Sequence, residues 1–300
     1  LLTAIVGCAE TKQATEAKKA TNNNLEPRLP KWMQDPESVK ARVTVLRKYV
    51  AAIDKFNSAS RQDWAVAHRE LELIGDFTAQ PDEKGLIATT KSSDVAKAAA
   101  AAKELGRRAR IWKCCWAFLE EDVKRWSAAR RQAQELGDDA TIALSCTLLY
   151  MLINSYYFPF WPNVRFHLVE LGDIAFDLTA ELARAIAAKI SEKTFLDIAQ
   201  QQEFVQVFLA LLQFGGKSSK LVREFATHSS TNVRRLVAQA LGESRDIIYA
   251  DILNNYVRSD RRWEVRYDAY GAIGKIRAFP ETFFETMSWA LKNELDEVCL

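Results

Sequence analysis

The chain has 300 residues, 48% hydrophobic and 27% charged, which allows one large or two ordinary folded domains. A formal charge of +2 is too mild to demand nucleic acid or an acidic surface as partner. Five cysteines are too few and too scattered for a disulfide scaffold, and no stretch holds the ~18 consecutive apolar residues of a bilayer span.

The first eight residues, Leu1-Leu2-Thr3-Ala4-Ile5-Val6-Gly7-Cys8, run apolar, then small, then cysteine. This resembles the tail of a secretory h-region closing in a bacterial lipobox. The resemblance implies cleavage before Cys8, with 1–7 as signal-peptide remnant, and a diacylglyceryl group on the Cys8 sulfur. Residues 9–24 contain no Val, Ile, Leu, Met or aromatic side chain. Such a segment buries too little to offset its ordering entropy, so 8–30 reads as a polar tether. Two or three acyl chains at ~0.8 kcal/mol per buried CH₂ give a durable anchor. Ala9 rather than Asp after the cysteine resembles the lipoproteins passed on to the outer membrane, facing the periplasm. Starting at Leu1 and stopping inside a pattern, the chain reads as a piece of a longer one.

Helices are expected throughout 31–215, because Ala, Leu, Lys, Arg and Glu abound while only 11 Gly and 7 Pro are present. Asp35-Pro36-Glu37 opens a first helix, with Val39, Val43, Leu46, Val50, Ile53 and Phe56 on one face. Ser60 with Asp63 predicts a capping box for the next, which carries Trp64, Ala67, Leu71 and Ile74. A loop through Pro81 and Gly85 is expected, then an Ala-rich helix from Ser93. A longer helix follows, bearing Ile111, Cys115, Leu119, Val123 and Trp126 and stopped by Gly137. Asp138-Asp139 begins another, through Tyr156. The run Tyr156-Tyr157-Phe158-Pro159-Phe160-Trp161-Pro162 interrupts it with two prolines and reads as a packed interhelix loop or, where exposed, as a partner-binding patch. Helices over 163–190 and 194–214 precede the break at Gly215-Gly216. No period-two alternation is present, so the fold class is all-α.

After Gly216 the chain repeats itself. Asn232-Val233-Arg234-Arg235-Leu236-Val237-Ala238-Gln239-Ala240-Leu241-Gly242 returns 32 residues later as Glu264-Val265-Arg266-Tyr267-Asp268-Ala269-Tyr270-Gly271-Ala272-Ile273-Gly274. Short apolar helices lead into each block (221–226 and 247–257), and a third near 283–291 leads to Val298. The pattern Asp260-Arg261-Arg262-Trp263-Glu264-Val265-Arg266 resembles the short bacterial HEAT repeat. That resemblance implies a HEAT-like α-solenoid of helix pairs over 216–300, its third repeat truncated, with successive pairs burying one another's apolar faces. It also makes Asp260 and Arg266 candidates for an ion-pair ladder, in which the loop acid and the helix arginine bond to each other or to a neighbouring repeat. His228 and Asn293 stand at the positions equivalent to Asp260, and Cys299 where an arginine would, so the ladder is expected to be incomplete. Asn163-Val164-Arg165 only echoes the motif.

No catalytic residue, metal site or cofactor is assigned. His68, His167 and His228 have no metal or triad spacing, and Cys114-Cys115 are adjacent on a helix rather than a CxxC. Cys115 and Cys146 read as buried thiols that a disulfide could alternatively join. Gly215-Gly216-Lys217-Ser218-Ser219 resembles the end of a phosphate loop but lacks its first glycine and its strand. Arg234, Arg235, Arg261 and Arg262 are the expected partner-facing cations. The reading is a non-enzymatic scaffold lipoprotein of the bacterial envelope, presenting its repeats to another, unidentified envelope protein, with Cys8 holding it to the membrane. A cytoplasmic HEAT-like nucleic-acid binder, and an enzyme with a site inside 31–215, are the alternatives.

Overall fold

A computed structural model describes residues 48–58, 60–74, 81–119, 122–153, 155–190, 198–276 and 281–294. Every regular element among them is helical, and no strand occurs among the described residues, so the fold is all-α. Cys8, Cys299, the tether and the first half of the helix expected from Asp35 lie outside the described residues. The chain divides into two compact units, Leu1–Thr147 and Leu148–Leu300.

In the first unit, helix 48–54 tightens into a 3₁₀ turn, Lys55–Asn57, whose Phe56 is buried. Helices α1 (Arg61–Ile74), α2 (Pro81–Thr89), α3 (Val95–Leu119) and α4 (Val123–Leu136) follow. The helix α5 (Asp138–Ile153) carries the boundary between the units within its length. The cap of α1 differs from the capping box expected of Ser60. The Ser58 hydroxyl donates to Asp63 Oδ2 at 2.5 Å and accepts the Ser60 amide at 3.1 Å, while Trp64 Nε1 donates to the Ser58 carbonyl at 2.8 Å. Ser58 rather than Ser60 thus does the pairing, because the turn after Asn57 brings it back over the first helical turn.

The expected loop through Pro81 and Gly85 is the helix α2. Proline at the first helical position lacks only an N–H that would have no helical acceptor. The single helix expected through Trp126 is two. After Leu119 the chain leaves helical geometry at Asp122 (ψ 82°), and α4 folds back so that Trp126 Nε1 reaches the Ala117 carbonyl at 3.1 Å. Phe118 and Trp126 stack at 4.8 Å. The apolar spacing continued across the break because both helices bury the same face, which periodicity alone does not separate.

In the second unit, α5 ends at Ile153, short of the expected Tyr156, and both prolines lie inside the helices that follow: a 3₁₀ helix, Ser155–Phe160, leads into α6 (Trp161–Glu170) with Pro162 inside its first turn. Gly172 (φ +79°) separates α6 from α7 (Asp173–Lys189), and α8 (Ile198–Gln213) ends before Gly215 (φ +63°). Then come α9 (Ser219–Ala226), α10 (Thr231–Ser244), α11 (Ala250–Ser259), α12 (Trp263–Lys275) and α13 (Glu281–Asn293). α8, α10 and α12 lie side by side in that order, with α6 and α7 against α8, α9 against α8 and α10, and α11 against α12 and α13. Their shared core holds the cluster Phe204, Phe208 and Phe225, with centroids 5.6–5.8 Å apart, and extends through Leu236, Leu241, Leu253, Val265, Ile273 and Phe283. No single helix among the described residues is long and apolar enough to cross a membrane.

Candidate functional site

The two repeated blocks form α10 and α12, and their arginines make equivalent bonds. Arg234 closes a fork on Asp260 (Nε to Oδ2, 2.7 Å; Nη2 to Oδ1, 3.1 Å), and its Nη1 donates to the carbonyls of His228 and Ser229 at 2.8 and 3.0 Å. Thirty-two positions on, Arg266 closes a fork on Glu294 (Nε to Oε2, 2.8 Å; Nη2 to Oε1, 2.7 Å), and its Nη1 donates to the Asp260 carbonyl at 3.1 Å. Each guanidinium thus ties the loop before its own helix to a carboxylate further along the chain. The Glu294 side chain is 3% exposed and also accepts from the Tyr270 hydroxyl at 2.9 Å. Planar guanidinium and carboxylate meeting by two parallel bonds is the strongest geometry available to such a pair.

Of the two arrangements open to such a ladder, bonding to each other or to a neighbouring repeat, both residues take the second. Asp260 gives its carboxylate to Arg234 and only its carbonyl to Arg266. The acid that serves Arg266 is Glu294, one residue beyond the aligned Asn293, whose amide instead bonds the Trp289 carbonyl. Glutamate's extra methylene reaches from the shifted position. A search for any acid within one residue of the aligned site would have found it.

Of the four arginines expected to face a partner, Arg234 is committed inward, its side chain only 15% exposed. Arg235 donates Nε to Asp268 Oδ2 at 2.7 Å, and Gln239 meets the same carboxylate. Arg261 and Arg262 remain on the surface, Arg262 reaching Glu264 at 3.2 Å while its amide caps on Asp260 Oδ1 at 3.0 Å. Beside them Trp263 and Tyr267, one helical turn apart on α12, are exposed.

A concave feature lies wholly within the second unit. A cleft of about 470 Å³ opens between the aromatic-proline run, α8 and the end of α10. Trp161, Leu209 and Leu212 form its buried apolar part, and exposed Phe158, Pro159 and Pro162 its outer wall. Trp161 Nε1 is held by the Met151 carbonyl at 2.9 Å, and Phe158 meets the Trp161 ring edge-on at 5.1 Å. Arg165 and buried Gln206 line it from α6 and α8, with Arg165 Nη1 donating to Gln206 Oε1 at 2.5 Å. Burial holds the Arg165 guanidinium below its usual range, and the charge of Glu243 acts in the opposite sense. Its Nε is buried with no acceptor among the described residues. Glu243, Ser244 and Asp246 form the facing rim, positioned by Arg245 in the left-handed region (φ 56°) at the end of α10.

Among the described residues no group of three His, Cys, Asp or Glu side chains is placed to hold a metal ion. Cys114, Cys115 and Cys146 are thiols, not half-cystines; desolvation pushes Cys114 up to about 11 and Cys115 up to about 12, so both remain protonated and poorly nucleophilic at neutral pH. The chain matches no protein-family model, and neither a curated protein nor a solved structure matches it.

Proposed function

We propose that this chain is a non-enzymatic interaction protein of the bacterial envelope, in which HEAT-type helix pairs over 216–300 stack as a short solenoid and present a surface to a partner protein. The observation that carries the reading is the arginine clamp repeated at a 32-residue spacing, Arg234 on Asp260 and Arg266 on Glu294, each bridging from one helix to a later loop. Stacked repeats need such a joint, because each pair must be fixed against the next. With Arg234 turned inward, the partner-facing set narrows to Arg261, Arg262, Trp263 and Tyr267, an arginine and aromatic combination enriched where binding energy concentrates. Cys8, lipidated, fixes the location at the outer membrane on the periplasmic side.

Two measurements test this. Acyl labelling of the full-length protein, with and without Cys8→Ala, is expected to lose the label and the membrane partition in the variant; unchanged partition refutes the anchor. A photo-crosslinking residue at Tyr267 is expected to capture one protein species in living cells, and Arg262→Glu to abolish it. Crosslinks to nucleic acid, or to nothing specific, overturn the partner-protein reading.

A further inference from the structure

We propose that the cleft between the aromatic-proline run and the end of α10 binds a free α-amino acid with an aromatic or large apolar side chain. Its carboxylate meets Arg165, its ammonium meets Glu243, and its side chain lies against Phe158 and Trp161. The proposal does not rest on the partner-protein reading.

The residues narrow the ligand step by step. Arg165 sits in Asn163-Val164-Arg165, the echo of the motif that supplies Arg234 and Arg266. Those two arginines each close on a carboxylate of the chain, whereas Arg165 receives an amide, Gln206, and keeps a buried Nε without an acceptor. A desolvated guanidinium short of a counter-charge is unfavourable until an anion reaches it, and a carboxylate fits its fork. Glu243 also lines the cleft and its charge acts on Arg165, yet no ion pair joins them. Its carboxylate is therefore a second open charge close to the first.

A simple anion would meet Arg165 under the repulsion of Glu243 and Asp246. A simple cation would meet those acids beside Arg165. A neutral apolar ligand would cover the guanidinium and leave it unpaired. A zwitterion carrying both charges on one carbon satisfies both groups, and Phe158, Pro159, Trp161 and Pro162 take an apolar side chain on a stiff wall. The volume, about 470 Å³, falls in the ~300–1,000 Å³ range of small-molecule sites and suits such a ligand better than a folded partner.

The experiment is calorimetric titration of the protein with L-phenylalanine, and with N-acetyl-phenylalanine and phenylalanine amide as analogues lacking one charge each. Saturable one-to-one binding of phenylalanine is expected, weakened about tenfold or more by loss of either charge. Glu243→Gln and Phe158→Ala change exposed side chains and are expected to leave the thermal midpoint in place while weakening phenylalanine binding. Glu243→Gln should in the same step narrow the gap between phenylalanine and its N-acetyl form, since it removes the ammonium's partner. Absence of saturation by phenylalanine, tryptophan and leucine up to about 10 mM, a concentration that reveals any site of millimolar Kd, overturns the proposal. So does binding that both variants and both analogues leave unchanged. Tighter binding of a phenylalanine-containing peptide than of the free amino acid overturns the single-carbon zwitterion.

Discussion

Both units contain an arginine that forks onto a glutamate, and the two forks do different work. In the first unit, Arg107 bonds Glu104 through Nε and Nη2, each at 2.9 Å, one turn away on the same helix and about one-third exposed. In the second unit, Arg266 bonds Glu294 across 28 residues, with the carboxylate almost wholly excluded from water. Equal geometry carries unequal consequence, because a local exposed pair stabilises a helix that forms anyway. A distant buried pair fixes how two helices meet.

The largest expected effect breaks the distant fork. Arg266→Met strands the Glu294 carboxylate in the interior and is expected to cost the second unit about 3–5 kcal/mol in urea unfolding. Arg266→Met with Glu294→Met together should recover most of that loss, since two apolar side chains leave no orphaned charge. Glu104→Gln in the first unit, by contrast, is expected to cost less than about 1 kcal/mol. Equal losses from the local and the distant fork would erase the distinction.

The glycines sharpen the comparison. Gly106 and Gly242 both sit inside helices, and a Cβ at either would meet a neighbour. At Gly242 that neighbour is the backbone of α12: the Ala272 Cα at 2.6 Å and Cβ at 2.8 Å. At Gly106 the first atoms met are the Oδ1 and Cγ of Asn57, an exposed side chain bonded to Asp54 Oδ1 at 2.8 Å, with the Asn57 Cα behind them at 3.3 Å. Gly242→Ala is therefore expected to lose about 1–3 kcal/mol by forcing α10 from α12. In Gly106→Ala the helix-propensity gain of about 1 kcal/mol offsets part of the cost of displacing Asn57, so the loss is expected to be smaller than at Gly242. Chemical denaturation of the two variants measures both.

The same contrast explains what could be read from the sequence. The repeated blocks of 232–242 and 264–274 were legible because matching residues recur at equal offsets, and both blocks fall on helices. The all-α character was legible from composition. The break after Leu119 was not, since two helices burying one face keep a single period. Helix α2 was hidden by reading Pro81 and Gly85 as loop punctuation when one starts the helix and the other lies exposed within it. The cleft was half visible. The aromatic-proline run stood out, but Arg165, Gln206 and Glu243 lie on three elements that only the tertiary fold brings together.

The smallest expected effect concerns the first unit alone. The Thr90 hydroxyl donates to the Ile87 carbonyl at 2.7 Å, so at 2.9 Å from His68 Nε2 it accepts, which fixes the proton on that nitrogen. The imidazole also stands edge-on to Phe56 at 5.3 Å. Burial, and secondarily the charge of Lys91, hold the His68 pKa below its ordinary 6.5, with Glu72 opposing. The unfolded chain takes up this proton more readily than the folded one. Stability from the neutral ring is therefore complete above about pH 6.5 and declines as the pH falls below it. The carboxylate window lies lower, because the Arg107 hydrogen bond holds Glu104 below its ordinary 4.5 and its contribution is lost only as the pH falls through that range. The unfolding midpoint of the first unit is expected to drop modestly between pH 7 and pH 5. His68→Gln should flatten that slope while leaving the decline below pH 4.5 in place; an unchanged slope in the variant would assign the acid sensitivity to another group.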